Sequence, residues 1–205
     1  MAKRSTAAQT TDLFAPSLAD LREEAAHCRA CPLYKNATQT VFGEGPQNAR
    51  LMLVGEQPGD KEDLEGRPFV GPAGRLLDRA LAEAGIERRK VFVTNAVKHF
   101  KFEPRGKFRL HKKPVTSEIR ACHRWLEGEL AAIRPEIVVA MGATAVIGVF
   151  GKAMPIGANR GHPIAIDDKT TGLITVHPSY LLRVEEADKE REYARFVADL
   201  KVAAL

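Results

Sequence analysis

Polar residues that could bind a planar heterocycle follow the first strongly apolar run of the chain. Residues 51–54 have the length and composition of a short buried strand, and Gly55 ends it, which leaves Glu56 and Gln57 on a loop at its carboxyl end. Ligands bind at that end of the strands in open α/β sheets. Because a carboxylate, an amide and the ring of Phe69 are close in sequence, this loop suits a flat ring with polar edges.

Two further predicted strands end in residues of the same kind. Asn95 ends one of them, and His177-Pro178-Ser179 follows another. We expect these residues to meet Glu56 at one edge of the sheet, where an amide can read a base edge, a histidine can stabilise a leaving anion and a carboxylate can stabilise a cationic sugar. Taken singly, Asn95 could cap a strand, and His177 could be an ordinary half-buried histidine.

The elements that would position these residues alternate between strand and helix. Ser17 is predicted to cap a first helix that Pro32 stops, and residues 1–16 are predicted to be a flexible tail before a single domain of residues 17–205. The alternation predicts a three-layer α/β/α sandwich around a central four-stranded parallel sheet. The predicted strands are residues 51–54, 91–95, 136–140 and 173–176, and the later helices are residues 74–84, 116–133, 143–150 and 186–202.

Composition narrows the class of protein. The 205 residues are 44% apolar, enough for one ordinary core, and the formal net charge of +5 favours an acidic partner. The sequence has neither an apolar run long enough to cross a bilayer nor a signal-peptide core, so we predict a cytoplasmic protein with no membrane partner. Three cysteines argue against a disulfide framework and favour a metal site or inert thiols.

Residues 98–114 form a strongly basic segment with interleaved aromatic residues. The segment has seven cationic residues against the single acid Glu103, a net charge of +6. Such a pattern is typical of a site for a nucleic-acid strand, because cations follow phosphates and rings can stack on bases. The alternative is a solvated loop whose rings pack onto the core. The residues are Lys98, Lys101, Arg105, Lys107, Arg109, Lys112 and Lys113, with Phe100, Phe102 and Phe108.

With these motifs together, the sequence resembles the uracil-DNA glycosylase superfamily over roughly residues 18–203. The motif after the first strand is Gly55-Glu56-Gln57-Pro58-Gly59, and the motif after the last strand is His177-Pro178-Ser179. The resemblance is greatest to the UdgX group, through Lys98-His99-Phe100, the basic loop that ends in His111, and the run from His177 to Arg183. The related family 4 proteins have a cysteine where His99 stands, and they lack the basic loop.

The resemblance implies excision of uracil from DNA, preferably single-stranded, by a monomer. It implies that Phe69 stacks on uracil, Asn95 reads its O4 and N3 edge, His177 donates to the developing charge on O2, and Glu56 stabilises the cationic sugar. It further implies substrate contacts from Gly55, Gln57, Asp60, Ser179 and Arg183.

Likeness to the UdgX group also implies a nucleophile. His111 would attack C1′ of the sugar and stay bonded to the abasic DNA, with Asp63 orienting its ring and Lys107 and Arg109 supporting the loop. Phe108 departs from that group, which usually has a second arginine there. The alternatives are a glycosylase that turns over while His111 only contacts phosphate, and a non-catalytic module that binds uracil or nicked DNA.

Cys28, Cys31 and Cys122 resemble the iron–sulfur ligands of family 4 and UdgX proteins. His99 occupies the place of the fourth cysteine, so the resemblance implies a structural 4Fe–4S cluster held by three thiolates and one imidazole. Judged on the residues alone, a single C-x-x-C could also bind zinc, form a redox pair or have no such role, and Cys122 could be an inert core thiol.

Overall fold

The computed structural model describes residues 17–204, so the predicted N-terminal tail lies outside the described residues. A five-stranded sheet consists of β1 (Leu51–Gly55), β2 (Val91–Asn95), β5 (Ile137–Met141), β6 (Ile164–Ala165) and β7 (Thr171–Thr175). The order of these strands across the sheet is β2-β1-β5-β7-β6. Its first four strands are parallel, as predicted, and the short antiparallel β6 at the edge is an addition, because two residues show no pattern in a sequence.

Helices cover both faces of this sheet. Ser17 begins the first with a capping box, in which its side chain accepts from the Asp20 amide and its own amide donates to the Asp20 carboxylate. Within residues 17–204, none of the helices is long and apolar enough to cross a bilayer. The helices are α1 (Leu18–Ala26), α2 (Asp60–Glu65), α3 (Pro72–Glu83), α4 (Thr116–Ile133), α5 (Ala143–Phe150), α6 (Ile156–Asn159), α7 (Pro178–Leu181) and α8 (Glu186–Lys201).

Strand β1 shows how the three layers form. Its side chains alternate in direction, so Met52 and Val54 pack into one apolar cluster while Leu51 and Leu53 pack into another. The first cluster includes residues of α1, α4 and α5, and the second includes residues of α3 and α8. The predicted three-layer sandwich is therefore confirmed, with β1 buried on both faces as parallel strands usually are.

The basic segment is not the loop that its composition predicts. It forms an antiparallel hairpin of β3 (Phe102–Arg105) and β4 (Phe108–His111), which lies outside the main sheet. Gly106 has a φ of +59° at the turn, a conformation that glycine adopts without strain. Because Phe102 pairs with His111, the histidine is positioned by a strand. Pro104 and the dense cations hide this hairpin in the sequence.

Candidate active site

The end of β1 is where the predicted base-binding side chains meet. A Cβ added to Gly55 would lie 2.3 Å from Oδ1 of Asn95 and 2.6 Å from the ring of Phe69. The Asn95 amide ends the neighbouring strand β2, directly opposite Gly55 in the parallel register. The structure therefore brings one amide and one aromatic ring against a backbone that only glycine can supply.

Phe69 is held in an unusual backbone conformation. Its φ is +59°, which is uncommon for a bulky residue and is found most often at functional sites. Gly74 permits this arrangement, because a Cβ at that position would lie 1.7 Å from the Phe69 carbonyl oxygen. The ring is buried and stacks on His177, with centroids 6.0 Å apart and planes at 29°. A ring fixed in this way can present a flat face to a base.

Glu56 lies at the N-terminus of α5. Its Oε1 accepts from the Thr144 amide at 2.9 Å, and a helix N-terminus favours negative charge. The carboxylate also packs closely on Gly142, where an added Cβ would be 2.8 Å from the carboxyl carbon of Glu56. Thr144 was not predicted from the sequence. A glycine at the end of a buried strand could have identified this loop, because Gly142 follows β5 as Gly55 ends β1. Four parallel strand ends thus contribute to one site.

His177 is a neutral donor in this geometry. Its Nδ1 accepts from the Ser179 amide at 3.2 Å and lies 2.9 Å from the Ser179 hydroxyl, so the neutral ring has its proton on Nε2. Burial lowers the pKa of His177 to about 4, against an opposing effect from Glu56 and with smaller contributions from His111 and Arg183. At neutral pH the Nε2–H group can therefore donate a hydrogen bond.

Gln57 contacts the ring of His111. Its ring nitrogen Nε2 is 2.8 Å from Nε2 of Gln57, whose orientation is fixed because its Oε1 accepts from the Lys101 amide. Gln57 can only donate through nitrogen, so Nε2 of His111 has the lone pair. The residue keeps exposed surface, but surrounding atoms desolvate the ring and lower its pKa, while Glu56 raises that pKa.

Arg109 fixes the hairpin to α2. It donates to Asp60 at 2.5 Å and to the fully buried Asp63 at 2.6 Å, and its guanidinium lies over the rings of Phe100 and Phe102. Asp63 also accepts from the backbone amide of residue 38. The hydrogen bond to the His111 ring comes from Gln57, so the role predicted for Asp63 in orienting that ring stays a prediction without a direct contact behind it.

The basic segment presents less free charge than its composition predicts. Four of its cations are in ion pairs: Lys98 with Glu129, Lys101 with Glu118, Arg109 with Asp60 and Asp63, and Lys112 with Glu103. Phe100 is a core residue at 1% exposure, so the alternative of rings packed onto the core holds for that residue. Arg105, Lys107 and Lys113 form no ion pair within residues 17–204.

The three cysteines lie in one region, against the α1–α4 side of the core. Sγ of Cys28 accepts from the Trp125 indole at 3.2 Å, and Sγ of Cys122 accepts from the Lys98 amide at 3.1 Å. Burial raises the pKa of Cys122 to about 12, and the nearby Cys31 and Cys28 add to this increase. Hydrogen bonds to sulfur of this kind suit thiolate ligands of an iron–sulfur cluster.

His99 presents one nitrogen that could bind a metal. Thr40 donates its hydroxyl to the Ala25 carbonyl and so accepts from Nε2–H of His99 at 3.1 Å, which leaves the lone pair on Nδ1. The types of donor therefore fit the predicted cluster. Their arrangement does not yet form a ligand set, because in the described part of the chain no three His, Cys, Asp or Glu side chains surround a common metal position.

Comparison with known proteins agrees with this architecture. The profile of the uracil DNA glycosylase superfamily matches residues 42–201. A type-4 uracil-DNA glycosylase of Thermotoga maritima is 40% identical over 178 residues, which cover 86% of this chain and 87% of that protein. One from Sulfurisphaera tokodaii is 41% identical over 66% of this chain and 59% of that protein, and one from Pyrobaculum aerophilum is 35% identical over 81% and 85%. This chain belongs to the uracil DNA glycosylase superfamily.

Proposed function

We propose that this protein is a uracil-DNA glycosylase of the UdgX type, which excises uracil from DNA and then becomes attached to the abasic site through His111. The observation that carries the proposal is the meeting of Phe69, Asn95, Glu56 and His177 at the carboxyl ends of the parallel strands. The relatives named type-4 uracil-DNA glycosylase support the excision step.

Cleavage of the bond between uracil N1 and C1′ produces a cationic sugar and a uracil anion. Stabilising these two charges is most of the catalytic task. His177 donates its Nε2–H to O2 of the departing base, and Asn95 pairs with the O4 and N3 edge. Glu56, held at the N-terminus of α5, places its negative charge against the sugar. The base reaches this site only after it has flipped out of the strand.

Capture of the sugar follows from the state of His111. An uncharged imidazole with its lone pair on Nε2 is the form that can attack C1′, and Gln57 selects that form by donating to the same nitrogen. Because Nε2 has one lone pair, this hydrogen bond breaks as the bond to C1′ forms, and the Gln57 amide keeps the Lys101 and Lys112 carbonyls as acceptors. The new C1′–Nε2 bond replaces the bond to uracil, which leaves as its N1 anion. The relatives support equally an enzyme that delivers water to C1′ and turns over. Capture is favoured because Gln57, the neighbour of Glu56 in the same loop, contacts the ring of His111.

Replacing Asn95 with aspartate is expected to slow uracil release about 10²- to 10³-fold, the usual effect of losing one donor to a developing charge. The aspartate retains the shape of the side chain but cannot donate to O4. Release of free uracil from a single-stranded oligonucleotide measures the effect. Asn48→Asp, the same change at an exposed residue before β1, is the control. Wild-type release by a folded Asn95→Asp protein would remove Asn95 from the site.

We also propose that Cys28, Cys31, Cys122 and His99 hold a 4Fe–4S cluster. When bound, it would crosslink the N-terminal region to α4 and to the base of the hairpin, without a chemical step of its own. Protein purified without oxygen is expected to be brown and to contain iron, and His99→Cys is expected to retain it, because thiolate is the commoner ligand. His162→Cys, at an exposed histidine, should leave the iron content unchanged. Metal analysis that finds zinc, or no iron, contradicts the assignment.

A further inference from the structure

Phe108 is an exposed aromatic residue at the tip of the hairpin. Its side chain is 74% exposed, the largest value among the large apolar residues of the described chain. Leu64 of α2 and Leu110 of β4 are also exposed, and with Phe108 they line a groove of about 500 Å³ between α2 and β4. Isolated apolar residues are normal on a surface, but three that share one groove indicate a binding surface.

The groove is close to the active site but distinct from it. Alternation along β4 places Phe108 and Leu110 on one face, while His111 lies on the other face, where it contacts Gln57. The ion pair of Arg109 with Asp60 also lines the groove. Phe108 is three residues from His111, which corresponds to about 10 Å along a strand. The two side chains are on opposite faces, so a DNA strand that places its uracil beside His111 would pass around the edge of the hairpin to reach Phe108. At about 3.4 Å per stacked nucleotide, and more where the DNA is extended, this distance corresponds to at most about three nucleotides, so the base at Phe108 would be one to three nucleotides from the uracil.

The charges around the groove select the kind of occupant. Arg105 and Lys107 flank Phe108 at the turn, and neither forms an ion pair within the described part of the chain. Asp60, the acid that lines the groove, is paired with Arg109, so the unpaired charges at the rim are positive. A positive rim around an aromatic face complements a polyanion that has flat rings along its length. Single-stranded nucleic acid has this chemistry, and base stacking on aromatic side chains tolerates any sequence.

We propose that Phe108, with Leu64 and Leu110 as the walls of the groove, stacks a base of the substrate strand that lies one to three nucleotides from the target uracil. This inference rests on the proposed function. The UdgX group usually has an arginine at this position, which would attract phosphate. Phe108 binds by stacking instead, so it contributes to DNA affinity without adding to the salt dependence of that affinity. Phe108 would then affect the binding of the DNA strand, while the residues at the carboxyl ends of the β-strands would carry out the chemical step.

The test uses full-length protein and a single-stranded oligonucleotide with 2′-fluoro-deoxyuridine, whose base is not released. The fluorescent base 2-aminopurine is placed in turn at each of three positions on either side of the uracil. Stacking is expected to change its fluorescence at one of these positions with wild type and not with Phe108→Ala. The alanine variant should bind about 5- to 150-fold more weakly with the same salt slope, whereas Phe108→Arg should steepen that slope by about one. Val202→Ala, exposed beyond α8, is the control.

Three outcomes overturn the inference. The first is fluorescence that does not depend on Phe108 at any position. The second is unchanged affinity in Phe108→Ala, with circular dichroism showing it folded. The third is a wild-type dimer in sedimentation that Phe108→Ala dissociates, which would make the groove an interface between copies of this chain. Uracil release from an ordinary deoxyuridine substrate is measured in parallel, so that failure of the proposed function is recognised separately.

Discussion

Replacing His111 with alanine is expected to abolish the covalent protein–DNA band while uracil release by water continues at a reduced rate. Glu56, Asn95 and His177 do not depend on His111 for their positions, so in the proposed mechanism they still stabilise the transition state. Capture itself needs the imidazole, because an attacking group held at C1′ has an advantage over water of up to about 7–11 kcal/mol. A denaturing gel with a uracil-containing oligonucleotide detects the band, and free uracil is measured in the same sample.

The matched control is His162→Ala, which removes an exposed histidine from the loop before β6. It should form the adduct as wild type does. Two results contradict capture by His111: an alanine variant that still forms the adduct, or wild-type protein that releases many uracils per molecule. The second result would establish the turning-over glycosylase, which uses the same Phe69, Asn95 and His177.

The pH dependence of adduct formation gives His111 a signature. Only the neutral imidazole attacks, and desolvation lowers its pKa from the ordinary value of 6.5. A lowered pKa means that the ring stays neutral to lower pH, so the rate of adduct formation should remain constant from pH 7 to below 6.5 before it falls. His177 stays neutral over the same range, since its pKa is about 4. A fall already centred above pH 6.5 would exclude His111 as the group that titrates.

The meeting of the site residues was predictable because strand ends in a parallel sheet meet at one edge. Gly55, Asn95 and His177 each follow or end an apolar run, and the structure brings the first two into contact and the third onto Phe69. The positive φ of Phe69 could not be predicted, since it depends on the close approach of Gly74.

Tertiary partners account for the remaining differences. The cations of residues 98–114 are a single block in the sequence, and their acids come from α2 and α4 as well as from β3. Asp63 and Arg109 are 46 residues apart in the sequence, yet the hairpin brings the Arg109 guanidinium into an ion pair with Asp63. Contacts between distant segments decide such pairings, and periodicity gives no information about them.

Lys98 is the clearest case of a pairing that the sequence does not predict. It belongs to the basic segment, yet in the structure it is a core residue. Its ammonium is fully buried and donates to Glu129, to the Thr94 hydroxyl and to the Asn95 carbonyl at 2.6–2.7 Å. Glu129, also fully buried, accepts in addition from the Gly43 amide. All three donors of the ammonium are therefore satisfied, as a buried charge requires.

Replacing Lys98 with methionine is expected to lower the free energy of unfolding by about 3–5 kcal/mol, because Glu129 is left as an uncompensated buried charge. For a chain of this size each kcal/mol corresponds to about 2–4 °C, so the melting temperature should fall by roughly 6–20 °C. Lys189→Met removes the exposed pair with Glu186 and should change stability by about 1 kcal/mol or less. Calorimetry or thermal circular dichroism measures both.

The paired variant Lys98→Met with Glu129→Gln separates the effect of the uncompensated charge from the loss of the other hydrogen bonds of the ammonium. Glutamine still offers an oxygen to the Gly43 amide and to Thr94, but it has no charge to compensate. Most of the lost stability should therefore return, since removing both members of a buried pair usually costs little. If the paired variant melts as low as Lys98→Met alone, the destabilisation comes from the hydrogen bonds of the ammonium to Thr94 and Asn95, and the uncompensated charge of Glu129 is not its cause.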